Sequence, residues 1–303
     1  MAKSPYSIED VYKEFGTIDS YFYEDINDGT TSLISKDVIN NYCHYENKSG
    51  KNKCNDYFEM TSSSVIHLLE KLKDKKGLDY DKLAEYAILW LSFKLNKKPQ
   101  HKFAKLNEFY TKYIETNNDY NKKINDDDDD STTYKDIIDT KKDLIDMDIE
   151  EISKFDGPFS ILYYFYYAIS DVVVECEENL NIANSFVNQF KVLNNDSNNI
   201  ENSSYNKILS TLSDDYNNLI NNYDNIKSCN FLPPPELTPQ KSPVGNSGQH
   251  TTLSPEATPS NSSILNTVIP GLSTFFVIPV FFGIAYKTIY KRKTKKNKEE
   301  NET

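Results

Sequence analysis

Cysteine is the residue type in this chain whose chemistry is easiest to constrain. There are four, Cys43, Cys54, Cys176 and Cys229. An even, sparse set reads as two disulfides in an oxidising compartment. Three connectivities are open. The preferred one joins Cys43 to Cys54, closing a short polar loop, and Cys176 to Cys229, tying a late helix to the end of the folded part. A loop of the second size adds roughly 4 kcal/mol in the chain-entropy model. One alternative is a zinc site built from Cys43, His44 and Cys54, although no CxxC or HxxxH spacing supports it. A set of free buried thiols is the other.

The remaining candidates for chemistry are weaker. His67 and His101 fall at helical or helix-edge positions and belong to no catalytic pattern. Asp126 to Asp130 is a run of five acids, but it lacks the central Gly and terminal Glu of a calcium loop, so a solvated loop is the expectation. Acidic pairs such as Asp214 and Asp215 say little in a chain with 46 acids. The GxSxG, P-loop, GxGxxG and HExxH patterns are missing. The expectation is therefore no enzyme, no cofactor and no metal. Sequons occur at Asn47, Asn195, Asn202 and Asn261, in a chain so rich in Asn that chance accounts for most of them.

The elements around these residues read as helices. Ser7 and Asp10 have capping-box spacing ahead of Ile8, Val11, Tyr12, Phe15 and Ile18. Residues 24 to 56 read as polar loop with a short helix near Lys36 to Tyr42. Val65 to Leu72 mark a second helix, with Gly77 beyond its basic end. Asp79 opens a third, apolar nearly all round its middle and hence central, which Pro99 closes. Phe103 to Ile114 and Tyr134 to Ile145 read as a fourth and fifth. Gly157 and Pro158 precede an aromatic segment, FSILYYFYYAISDVVVEC, whose uncharged part is too short to cross a membrane. Its triplet Val172 to Val174 suits a helix poorly. Asn181 to Leu193 and Ser204 to Tyr223 are the last two helices. With no sustained alternation, the fold class is all-α: a helical bundle with polar loops over residues 1–230.

Residues 231–263 hold seven of the twelve prolines. They read as an extended, disordered stalk. From Ile264 to Tyr286 the chain has no charged residue. These 23 residues span roughly 34 Å as a helix at about 1.5 Å per residue, enough to cross a bilayer, with Pro270 and Pro279 kinking it. The tail, 287–303, carries Lys287, Lys291, Arg292, Lys293, Lys295, Lys296 and Lys298. By the positive-inside rule it faces cytoplasm and the bulk of the chain faces outward or into a lumen. The first residues show no apolar signal region, so tail-first insertion with the large domain in the cytosol is the competing orientation. Overall charge is -12, and -16 over residues 1–286, which disfavours nucleic acid as a partner. The basic tail suits anionic lipid at about 1 kcal/mol per residue near the surface.

Several blocks together resemble the PIR family of malaria parasites, the cir/yir/bir group. These are IEDVYKEF, NYCHYENKSGKNKCNDYFE, LDYDKLAEYAILWLSFKLN, KKDLIDMDIEEISKFDGPFSIL and YNKILSTLSDDYNNL, followed by the Pro-rich stalk, the single span and KRKTKKNK. The resemblance implies an exported variant antigen on or near the infected red cell, exposed to antibodies, with a disulfide-containing helical ectodomain and, for some members, adhesion to host cells. Many relatives carry a cysteine in the first helix, near Val11 here, and another where this chain has Tyr163. Pairing is therefore read from this chain's own four cysteines, and no catalytic residue transfers. The competing function is an internal membrane scaffold acting through the basic tail.

Overall fold

Three serines in a row explain how the centre of the molecule packs. In a computed structural model, which describes residues 7–27, 30–45, 53–98, 103–125, 131–168, 176–222, 226 and 229–240, helix α2 (Tyr57–Leu72) carries Ser62, Ser63 and Ser64, all fully buried. Small side chains let neighbours approach closely, and each hydroxyl satisfies a main-chain carbonyl. Ser62 donates to Tyr113 at 2.8 Å, Ser63 to Ile39 at 2.5 Å and Ser64 to Met60 at 2.8 Å.

Around α2 stand α1 (Ile8–Asp19) and α3 (Tyr80–Asn96). Asp56 and Asp79 cap α2 and α3, and Ser7 with Asp10 forms the capping box of α1. Helix α3 is buried without interruption from Leu83 to Leu95, the position its all-round apolarity predicts. Short helices follow: α4 (Leu106–Phe109), α5 (Tyr134–Asp139), α6 (Lys142–Ile145) and α7 (Ile149–Ile152). Three longer ones close the body: α8 (Asp156–Tyr163), α9 (Cys176–Asn194) and α10 (Ser204–Asn222). Tyr12 stacks on Tyr166 at 5.0 Å, and Phe186 stacks on Tyr216 at 4.0 Å, so aromatic rings fill much of the core. At Gly16 a Cβ would sit 2.2 Å from the Tyr167 ring, and glycine is what admits that ring against α1.

The expected loop after residue 24 is in part a hairpin. Strands β1 (Phe22–Asn27) and β2 (Thr30–Ser35) pair antiparallel, from Phe22 opposite Ser35 to Asn27 opposite Thr30. The Asp28-Gly29 dipeptide between them in sequence is the common signal for a two-residue turn. The short helix expected next is present as a 3-10 turn, Asp37–Tyr42. The expected fourth helix divides: α4 gives way to a π turn, Tyr110–Ile114, closed by a 3.0 Å bond from Glu115 N to Tyr110 O. Ser62 takes the Tyr113 carbonyl here, which offers a partner outside the helical ladder. The expected fifth helix breaks at Lys141 (φ -114°, ψ 39°), whose buried ammonium turns toward Asp81 at 2.7 Å and Glu85 at 3.5 Å.

The chain divides into Met1–Pro239 and Gln240–Thr303. Residues 231–239, read from composition as the start of the stalk, fall within the first unit. Phe231 is buried against Phe165, and Asn194 holds the main chain of the segment after it. The stalk residues 241–263, the span Ile264–Tyr286 and the basic tail lie outside the described residues. So do Asp126–Asp130, Val172–Val174, Pro99, His101 and the sequons at Asn47 and Asn261. No helix among the described residues is long and apolar enough to cross a membrane.

Candidate functional site

The cysteines pair as Cys43–Cys54 and Cys176–Cys229, the connectivity preferred from sequence. The first bridge is buried, and the chain on both sides of it is fastened to the body. Cys54 N donates to Asn40 Oδ1 at 3.0 Å, Asn117 Nδ2 to Tyr42 O at 2.8 Å, and His44 N to Asp119 Oδ2 at 3.0 Å. The zinc alternative fails on this geometry. Both thiols are consumed by the bridge, and His44 Nδ1 lies 2.7 Å from Asp119 Oδ2 instead of pointing at a shared ligand site. Among the described residues no group of His, Cys, Asp and Glu is arranged to hold a metal ion.

His67 sits between the Tyr21 and Tyr42 rings, with Nε2 2.9 Å from Val38 O. A carbonyl only accepts, so Nε2 carries the proton. Burial lowers this imidazole to about 4 and keeps it neutral, as a packed group.

Sequence reasoning passed over Asp215. Its position continues the apolar stripe of α10 (Ile208, Leu212, Leu219), and it is 2% exposed. Tyr12 Oη donates to Oδ2 at 3.0 Å, Tyr86 Oη to Oδ1 at 2.9 Å, and Tyr166 Oη to the Asp215 carbonyl at 2.7 Å. Burial pushes the carboxyl up to about 7, the largest effect. The tyrosine bonds and Lys82 act against it, and Asp214 adds to it. Burial first, then Asp215, holds the Tyr12 hydroxyl well above its usual value, so it remains a donor. The signal was available. An acid on an otherwise apolar stripe, with tyrosines on the apolar faces of other helices, calls for a shared buried acceptor.

One helical turn away, Lys82 reaches Glu85 at 3.1 Å and also meets Thr211, which itself bonds Glu85. Together α3 and α10 form a polar seam inside an apolar body. At its other end α3 supplies Lys94, 4% exposed, whose ammonium lies 2.6 Å from Asp19 Oδ1 and 4.4 Å from the Phe22 ring centre. These groups fasten α1, α3, α10 and the hairpin. A cleft of 210 Å³ lies elsewhere, between the π turn and α6, with Glu115 and Lys142 on its walls.

These features define a disulfide-stapled, all-α domain with a tyrosine-rich interior, followed by a Pro-rich segment and an apolar run near the carboxyl end. Residues 12–287 match the family described as Plasmodium variant antigen protein Cir/Yir/Bir. A solved structure of a Plasmodium PIR protein ectodomain is similar at 31% identity and a TM-score of 0.52, covering 76% of this chain and 99% of that one. None of the curated proteins matches. The chain belongs to the Plasmodium Cir/Yir/Bir variant antigen family.

Proposed function

We propose that this chain is an exported, membrane-anchored variant surface antigen whose helical body meets a host-cell ligand or antibody. One observation carries the reading. The family match does not stop at the folded body but runs to residue 287, through the whole uncharged run Ile264–Tyr286. A 23-residue apolar run followed by Lys287, Lys291, Arg292, Lys293, Lys295, Lys296 and Lys298 supports a single span with its tail in cytoplasm and the body outside or lumenal. Two disulfides suit an oxidising outer compartment. The polar seam is read as fastening and not as an active centre, because its carboxyls and hydroxyls are buried against one another. Antibody raised to the body should label intact infected red cells. Labelling only after permeabilisation would sink surface display.

The basic tail favours a second reading, an internal membrane scaffold held to anionic lipid. Neutralising Lys291 to Lys298 abolishes correct placement under that reading. Under the first it leaves binding by the body unchanged.

A further inference from the structure

The segment after Cys229 reads Asn-Phe-Leu-Pro-Pro-Pro-Glu-Leu-Thr-Pro-Gln. Proline has no N–H. Between Pro233 and Pro239 only Glu236, Leu237 and Thr238 therefore offer a main-chain donor. Pro239 also restricts Thr238 to an extended conformation. The sequence thus presents one short stretch able to pair like a strand, framed by residues that cannot slide into its place.

Among the described residues one side chain, Asn194, supplies the hydrogen bonds to that stretch. Asn194, the last residue of α9, is 5% exposed. Its Nδ2 donates to Glu236 O at 2.9 Å, and its Oδ1 accepts from Thr238 N at 2.9 Å. A side-chain amide here copies the pairing a neighbouring strand would make with residues i and i+2. The amide is itself fixed. Asn199, fully buried, donates to Asn194 Oδ1 at 3.0 Å and to Asn194 O at 2.8 Å. Asn206 of α10 in turn donates to Asn199 Oδ1 at 2.9 Å. Three asparagines form a relay from α10 to the segment. At its start, Phe231 is 6% exposed, with its ring centre 5.9 Å from that of Phe165. Glu236 and Thr238 turn their side chains outward, and Leu237 between them is half-buried. The contact reads main chain, not side-chain identity.

We propose that Asn194 is a peptide clamp whose occupant is this chain's own Glu236–Thr238, and that it acts as a latch setting where the chain leaves the body. With the latch closed the exit is at Pro239, not at Asn230 beside the Cys176–Cys229 bridge. Nine residues, 231–239, are then taken out of the connection. At about 3.1 Å per residue that is roughly 28 Å of reach. If the apolar run spans a membrane, only residues 240–263 remain to separate body from bilayer. The latch itself does not depend on that reading.

Hydrogen exchange on the full chain in detergent tests it. The Thr238 amide should exchange at least tenfold more slowly than in a free peptide of residues 229–240. Asn194→Ala should return it to the free rate while amides of α2 and α3 keep their protection. Thr238→Pro removes the donor without touching the body, and it should speed cleavage after Glu236 by a glutamate-specific protease, which covers the case in which the Asn194 variant misfolds. A Thr238 amide already at the free rate overturns the proposal. So does Thr238→Pro with no effect on cleavage after Glu236, or protection that appears only as concentration rises, which would place the segment on a second copy.

Discussion

Asp19 is partly withdrawn from water and Asp215 almost wholly, and the body treats them in opposite ways. Burial pushes the Asp19 carboxyl up, but Lys94 at 2.6 Å and Lys97 at 3.9 Å outweigh it, and the net position is below the usual carboxylate range. Asp215 has two tyrosine hydroxyls and a more distant Lys82 in place of an adjacent cation, and burial takes it up to about 7. A carboxyl can be kept inside a protein either by bringing its countercharge along or by allowing it to take a proton. The first solution fastens the hairpin end of the molecule. The second fastens α10 to α1 and α3.

The largest break in this comparison is Lys94→Met. It leaves Asp19 with only the longer contact to Lys97. The expected loss is about 4 kcal/mol in denaturant unfolding at neutral pH. Replacing both partners by apolar residues should cost less than either single change. Additive losses would show that the two groups do not act as a pair.

Asp215→Ala comes next, at about 3 kcal/mol, because it removes the acceptor shared by the Tyr12 and Tyr86 hydroxyls. A loss under 1 kcal/mol would mean the hydroxyls find other acceptors readily.

Asp215→Asn is the sharper probe, with a cost near pH 7 of about 1 kcal/mol. A folded-state value above the unfolded one means the folded protein holds the proton more tightly. Through this group stability is greatest below about 4, falls as pH rises from about 4 to 7, and is level above that. The groups facing it are Tyr12 of α1, Tyr86 and Lys82 of α3, Tyr166, and Asp214 on its own helix. Asp156 is also raised to about 7 by burial, so the difference between parent and variant, not the parent alone, isolates Asp215. Melting curves at pH 5 and 7.5 should show a smaller pH difference in the variant. An unchanged difference would remove Asp215 as its source. For Asp19 the sign reverses, and its contribution is present above about 4 and lost below.

His67→Gln gives the smallest effect. A buried imidazole lowered to about 4 destabilises the fold as pH drops from about 6.5 toward 4, opposing Asp215 over the same window. The variant should be relatively more stable than the parent at pH 5 than at pH 7. The reverse would mean that the ring is charged in the fold.

The sequence displayed the long helices because their apolar residues recur at three and four and their caps are ordinary Ser and Asp chemistry. It displayed the Cys43–Cys54 loop because proximity in the chain makes that pairing simple. The hairpin was hidden by its polarity, since Glu24 and the Thr30-Thr31-Ser32 run carry no alternating apolar pattern, and Asp28-Gly29 stood alone as a signal. The breaks at Tyr110 and Lys141 depend on Ser62, Asp81 and Glu85, which are distant in the chain, so no local pattern announces them. Asp215 was readable as an interruption of a stripe, but its tyrosine partners come from three other segments. Asn194 was not readable at all. It is one Asn among many, and its partners in the latched segment lie 42 and 44 residues away.

On the proposed function, the stapled body faces an oxidising, non-cytosolic side. The most direct test is alkylation of the chain in freshly lysed infected cells without reductant, followed by mapping of the cysteine peptides. Cys43, Cys54, Cys176 and Cys229 should escape modification and appear as two cross-linked peptides, 43 with 54 and 176 with 229. Alkylation of all four before any reductant is added would contradict it.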